Sequence, residues 1–329
     1  MTGMKQVHSD KEVMFAIREF AIEDRTKSWF FTATTLLLLI LLFVGSAYGP
    51  IYSRLGCSLL IVFVFVRMFV IYHDFLHHAI LYRSKLAKKI FWLFGLFILV
   101  PFSIWQRSHD HHHKHNSKIV NGDIGPYPIM TKAQYLVADK RTKFRYLASR
   151  HPITILLAYF TMFLYGMCLQ PFLKNPRRHY DCFIAMLLHF LFVYFLISTG
   201  GMTTFVLTLL LPFTMSFALG AYLFYVQHNF PDVLFLNKAE WSNTKAALES
   251  SSYLEMGRFM RWSTGNIGYH HIHHLSCAIP FYRLPEVMMQ VPELQNAKKT
   301  SFHWRNVAAC LRLKLWDTDK NKMITLNEI

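Results

Sequence analysis

Twelve of the chain's 18 histidines fall in residues 73–78, 109–115 and 270–274, stretches that together span only 18 positions. Gly265-Asn266-Ile267-Gly268-Tyr269-His270-His271-Ile272-His273-His274-Leu275 carries imidazoles at i, i+3 and i+4, namely His270, His273 and His274. On a helix that spacing puts three side chains on one face, close enough together to hold metal. Ser108-His109-Asp110-His111-His112-His113 repeats the HxxHH pattern as His109, His112 and His113, and His73-Asp74-Phe75-Leu76-His77 gives HxxxH. Neutral imidazole is the commonest protein ligand for iron, zinc, copper and nickel. Eight such residues are too many for one tetrahedral zinc, so the pattern points to two metal ions with vacant positions.

A ninth candidate, His228, stands in Tyr225-Val226-Gln227-His228-Asn229-Phe230 at the end of an apolar run, at the membrane depth expected for the other boxes. The remaining histidines read more plainly. His78, His111 and His271 neighbour box residues but lie roughly 100–200° round a helix from them, and His115 is similar. His189 falls within an apolar run and is expected to hydrogen-bond a neighbouring helix. His8, His151, His179 and His303 read as surface or interface residues. Asp74, Asp110 and Asn116 are polar neighbours able to orient imidazoles through their free ring nitrogens.

Apolar elements must position these boxes. Of 329 residues 53% are hydrophobic, 30 are Phe, and only 16% are charged, against about 25% in soluble domains. The net charge of +16 sits between apolar segments, which suits anionic lipid headgroups better than nucleic acid, and no nucleic-acid partner is expected. The five cysteines form no CxxC and read as small buried hydrophobes. Residues 1–28 are a mixed-charge leader, helical by pattern and too acidic for a cleaved signal peptide. Spans are expected at 29–48 and 56–72, with Arg67 in the second snorkelling toward the interface. Only about 15 apolar residues separate the first two boxes, too few for a comfortable span. An in-plane or re-entrant segment is expected there, because a crossing would leave those boxes on opposite faces. Residues 117–150, with Gly122, Pro126 and Pro128, read as loop. Lys174, Arg177 and Arg178 contrast with the base-free link Ser198-Thr199-Gly200-Gly201-Met202. That asymmetry makes 182–198 and 202–225 a tight hairpin and leaves 153–171 in the interface.

HxxxH, HxxHH and HxxHH set between paired spans resemble the membrane fatty acid desaturases and hydroxylases, over nearly the whole chain. Within that superfamily YVQHNF (225–230), AALESSSYLEMGRFMRWSTGNIGYHHIHHL (246–275) and PFYRLPE (280–286) resemble acyl-lipid desaturases of bacterial type. The resemblance implies a non-haem di-iron centre that uses O2 to remove two hydrogens from neighbouring methylenes of a lipid-bound acyl chain, with a tilt toward a Δ12-type position. It implies His73, His77, His109, His112, His113, His270, His273 and His274 as ligands of two Fe2+ ions, and it raises His228 as one more. Two electrons must come from a separate donor of ferredoxin or cytochrome b5 type, since no haem, flavin or iron–sulfur motif is present.

The expected fold is therefore an all-α integral membrane protein of one domain, 1–329. About four transmembrane helices form two hairpins, 29–72 and 182–225. The leader is 1–28; boxes one and two with interfacial segments are 73–181. Residues 226–329 make a histidine-rich di-iron cap on the cytoplasmic face, in a multi-pass arrangement that suits a bacterial inner membrane. Hydroxylation of a lipid, alkane or carotenoid would use the same ligands. A histidine-rich metal transporter is disfavoured because the imidazoles cluster at span ends rather than at the midplane. The tail Asp317–Glu328 matches EF-hand loop positions 1, 3, 5, 8 and 12, but Lys322 stands where Gly should make the sharp turn, and calcium binding is not expected.

Overall fold

A computed structural model describes residues 10–118, 129–237 and 239–329. Lys5, His8, Gly122, Pro126 and Pro128 lie outside the described residues. The leader contributes α1 (Asp10–Ala16) and a short 3-10 turn. Its Val13, Ile17 and Phe20 are buried in one cluster with Ile272 and Leu275 of the third histidine box. The leader thus braces the back of that box.

Asp24 opens α2 (Arg25–Ala47) by accepting a hydrogen bond from the Lys27 N–H at 3.1 Å. Gly49, at φ +101°, and Pro50 make the turn into α3 (Ile51–Leu76). The second span therefore starts earlier than the sequence suggests and runs straight into the first box. At 1.5 Å per residue these helices are about 34 and 39 Å long, enough for a hydrocarbon core. They pack closely at Gly45, where an added Cβ would lie 2.6 Å from Cys57 Sγ.

Helices α4 (Lys85–Phe97) and α5 (Phe102–Lys114) meet at an angle of 93°, with Leu99 at φ +56° in the corner. The apolar stretch between the first two boxes is bent rather than a straight span. In the stretch read as loop, α6 (Lys132–Val137) and α7 (Lys140–Ser149) form, each started by a side-chain cap, Thr131 and Asp139. Those caps supply the acceptors that free N–H groups need, which outweighs the polar composition. Then come α8 (Pro152–Leu156), a π-helical stretch (Tyr159–Leu169) and α9 (Gln170–Lys174).

α10 (Tyr180–Phe205), a π-helical turn (Val206–Leu210) and α11 (Leu211–Val226) form one apolar run broken at Gly201, φ +71°. The rings of His189 and Phe213, equally far from Gly201 along the chain, lie 6.0 Å apart, so the two arms run side by side. Ser46 Oγ bonds Thr208 Oγ1 at 3.2 Å and Arg54 donates to Thr204 Oγ1 at 2.8 Å, joining the tips of the two hairpins. Among the described residues, Arg25–Ala47, Ile51–Leu76 and Tyr180–Val226 are long and apolar enough to cross a membrane, with the bent α4–α5 pair as a fourth candidate.

The cap holds α12 (Asn243–Ser250), α13 (Arg258–Ser263), α14 (His270–Leu275), α15 (Leu284–Gln290) and α16 (Trp304–Arg312). It also holds two small sheets: β1 (Tyr253–Glu255) runs parallel to β2 (Lys299–Ser301), and β3 (Leu315–Asp317) pairs antiparallel with β4 (Lys322–Ile324). These are minor additions to a helical fold.

Two further expectations need correction. Arg67 does not snorkel: at 5% exposure it lies among the rings of Phe31, Trp262 and Phe281. It donates to Trp262 O at 2.6 Å and Thr35 Oγ1 at 3.2 Å, so the cap's backbone and aromatics replace the water that snorkelling would seek. His179 is not at the surface; it is buried beside Ser103, whose Oγ lies 2.9 Å from its Nδ1 and 2.6 Å from Asp181 Oδ1. The tail is a β-hairpin in which Asn321, at φ +49°, takes the left-handed position. Asp317 Oδ1 there accepts the Asp319 and Lys320 N–H groups, while Glu328 bonds Thr325. Among the described residues, its carboxylates form no close-set group.

Candidate metal centre

All nine predicted histidines meet in two groups, at the ends of the helices assigned to them. His73, His77, His109, His113 and His273 form the first; His112, His228, His270 and His274 form the second. Within each group the ligand-type nitrogens all lie within 4.8 Å of one another. The division follows from helix geometry. At 100° per residue, positions i and i+4 differ by only about 40°, while i+3 lies about 60° to the other side. So α5 gives His109 and His113 to the first group and His112 to the second. α14 does the reverse, giving His270 and His274 to the second and His273 to the first.

Local backbone geometry and two side-chain hydrogen bonds bring these helices together. α3 supplies His73 from its last turn and His77 at its cap. Before α14, Gly265 and Asn266 adopt φ +50° and +58°, and a Cβ on Gly265 would come within 2.8 Å of Val70 Cγ1. Only a glycine lets the turn sit this closely on α3. Ser263 Oγ donates to Phe63 O at 3.0 Å, fastening the same turn. Beside His228, Gln227 Nε2 donates to Ile267 O at 2.8 Å, which ties the end of α11 to the start of the third box.

The imidazoles are oriented from behind. Asp74 Oδ1 lies 3.3 Å from His73 Nδ1, and its Oδ2 accepts the Phe281 N–H at 2.6 Å. His228 Nδ1 donates to Ser250 O across 3.2 Å. Both contacts fix the tautomer whose Nε2 lone pair faces the cluster. Asp74 thus has the orienting part expected of it. Asn116 does not: its amide donates to Ala246 O and Ser251 Oγ. Asp110 has no resolved contact with a cluster imidazole among the described residues.

The donor set fits transition metal. Nε2 atoms face one another at 2.7 Å (His73–His109), 2.9 Å (His228–His270), 3.1 Å (His113–His273) and 3.2 Å (His112–His274). An octahedral site with metal–nitrogen bonds of about 2.1 Å has an edge of about 3.0 Å. Among the described residues His77 Nε2 is buried without a hydrogen-bond partner, as expected of a nitrogen meant for a metal. Burial first, and then neighbouring imidazoles, hold His109, His112, His113, His270, His273 and His274 well below the ordinary imidazole value. Burial likewise lowers His228 to about 4. Neutral rings with open lone pairs are what a metal needs.

The plainly read histidines stay outside both groups. His271 donates to Leu294 O at 3.1 Å; His111 and His115 stack on each other at 4.0 Å; His78 packs on Tyr82 at 4.5 Å. His189 bonds Tyr159, as expected of a histidine inside a span. His151 and His303 cap α8 and α16. Sequence reasoning overlooked Trp105, which stacks on His109 at 5.0 Å and 14°. Its position four residues before a box histidine was the available signal. A third group, His179, Asp181 and Cys182, is also close-set. Its carboxylate is taken up by Ser103 N–H and Oγ, and Cys182 Sγ points to Met167 O.

An apolar cavity of about 380 Å³ reaches His109 from the side of the spans, between α3, α5, α11 and the π-helical stretch. Phe65, Trp105, Met162, Phe163, Phe217 and Phe224 are among its walls.

Comparison with known proteins gives a consistent result. A family model described as fatty acid desaturase matches residues 50–306. A fatty acid desaturase of Bacillus subtilis (strain 168) is 30% identical over 271 residues, 80% of this chain and 74% of the relative. The sn-1 oleoyl-lipid 12-desaturase of Synechocystis sp. is 26% identical over 79% of this chain and 74% of its own. The protein of the same name from Anabaena variabilis is 25% identical over 80% of this chain and 75% of its own.

Proposed function

The chain belongs to the fatty acid desaturase family, and from that premise we propose that it desaturates the acyl chain of a membrane lipid with O2 at two non-haem iron ions. His73, His77, His109, His113 and His273 would hold one iron, and His112, His228, His270 and His274 the other. Bound there, the pair supplies the oxidant that an unactivated methylene requires, having neither an acidic proton nor an electrophilic carbon. The reaction balances when two hydrogens leave adjacent carbons, two electrons and two protons come from outside, and O2 becomes two waters. The relatives named sn-1 oleoyl-lipid 12-desaturases support a lipid-bound acyl chain and a Δ12-type position.

The protein's own residues bind, orient and exclude. Phe65, Trp105, Phe217 and Phe224 line the cavity beside His109 and offer hydrocarbon to hydrocarbon. Trp105, stacked on His109, forms a wall that keeps water from the carbons next to the metal site. Asp74 and the Ser250 carbonyl hold the Nδ1 protons of His73 and His228, so Nε2 stays available. We place the site on the cytoplasmic face, because Arg83, Lys85, Lys88 and Lys89 follow the first box and Lys174, Arg177 and Arg178 precede the second hairpin. A soluble ferredoxin or a cytochrome b5-type carrier would deliver electrons there.

The observation that carries this reading is the convergence of nine imidazoles in two groups beside an apolar cavity that His109 lines. The test is expression in an aerobic bacterial host, with membrane fatty acids analysed by mass spectrometry beside His270→Ala. A new double bond absent from the variant, with about two irons in the purified wild type, is the expected result. A hydroxylated chain would move the reaction to the other branch of the superfamily. Zinc alone in the purified protein would overturn the oxidative reading.

A further inference from the structure

One buried polar pair, between the π-helical stretch and the spanning helix α10, has no part in metal binding. Tyr159 Oη lies 2.6 Å from His189 Nε2, and both residues are buried. Polar groups in a span are costly and are retained where their direction matters. Here the direction is toward the cavity. The Tyr159 ring lies parallel to Phe217 at 6° and 5.8 Å. Phe217 also meets Phe163 at 4.2 Å and Phe65 at 5.5 Å, and it is 2% exposed. Phe217, Phe163 and Phe65 all line the cavity. Phe217 precedes His228 by three helical turns, so it lies about 16 Å further into the spans.

One turn above it on α11 stands Gly220, also lining the cavity, where an added Cβ would meet nothing within 4 Å. A helix interior disfavours glycine relative to alanine. The missing side chain leaves bore between the metal end and the aromatic floor.

We propose that Phe217, held in place by the Tyr159–His189 hydrogen bond, is the stop against which the methyl end of the acyl chain is measured, and that Gly220 keeps the channel above it open. This rests on the desaturase reading. It makes both residues determinants of chain length and double-bond position. Tyr159 and His189 are positioning residues that act through Phe217.

Two readouts test it. In the first, the purified protein is heated with lysophosphatidylcholines whose chains lengthen two carbons at a time from laurate to arachidate, and the unfolding midpoint is recorded. The wild type should be stabilised increasingly up to one length and no further. Gly220→Leu should lose the longest ligand first, by roughly tenfold or more in affinity, with Gly220→Ala between. Phe217→Ala should extend the series. The second readout is the double bond formed in membranes. Phe217→Ala should move it toward the carboxyl end, because the methyl end can sink deeper, and His189→Phe should spread its position. Length profiles that are flat, or identical in wild type, Gly220→Leu and Phe217→Ala, would overturn the proposal. An unchanged bond position in Phe217→Ala beside an active wild type would overturn it while leaving the desaturase reading intact. A wild type that binds by length but forms no double bond would instead count against that reading.

Discussion

At the scale of single residues, the site depends on which ring nitrogen each histidine offers, and that is set by groups behind the ring. Asp74 is the clearest case, since one carboxylate orients His73 and also receives the Phe281 N–H. Asp74→Asn should reduce iron retention or turnover by roughly ten- to a hundredfold, read as iron per chain and product per cell. His271 provides the contrast. It adjoins His270 but turns away to Leu294 O. His271→Phe should keep the wild-type iron content while lowering stability by about 1–3 kcal/mol, because a buried carbonyl loses its donor. His270→Ala should show the opposite pattern, with iron lost. The clustering of the eight box histidines was legible in the sequence because helical spacing is local, whereas His228 rested on its place at the end of an apolar run and on the family resemblance. Their division between two groups was legible in principle from the angles between i, i+3 and i+4. His179 was not, since Ser103 and Asp181 decide its burial and Ser103 lies 76 residues away in sequence.

At the scale of elements, the spans followed from apolar runs, whereas bends and docking did not. The α4–α5 corner was expected from the length of the stretch and the need to keep two boxes on one side. Arg67 was misread because its partners Trp262 and Phe281 belong to the cap, nearly 200 residues further on and more. A guanidinium held in an aromatic cage and bonded to a carbonyl is planar and directional, which an ammonium is not. Arg67→Lys should therefore fail to substitute, and both it and Arg67→Met should expose the 257–265 turn to protease while α2 and α3 stay protected. Wild-type protection in Arg67→Lys would restore snorkelling as the better description. The helices in 132–149 were missed because the capping residues Thr131 and Asp139 outweigh a polar composition. The tail turns into its β-hairpin for a comparable local reason, as Asn321 takes the left-handed position.

At the scale of the whole molecule, charge between apolar runs gives an orientation that can be measured directly. A cysteine introduced at Thr199 should react with a membrane-impermeant thiol reagent on intact spheroplasts, and one at Lys174 only after permeabilisation. The reverse labelling would invert the topology and place the histidine clusters outside. The general architecture was legible because a membrane leaves the backbone few choices, but the packing of the leader against the third box was not, since it rests on Val13, Ile17 and Phe20 meeting residues near the other end. The split of the third box between the two groups has a further consequence, for synthesis. The first group lacks His273 and the second lacks His270 and His274 until the last fifth of the chain is being made. A nascent or truncated polypeptide, even one with all its spans inserted, has neither nest of ligands whole. Until then the first group has four of its five imidazoles and the second only two of its four.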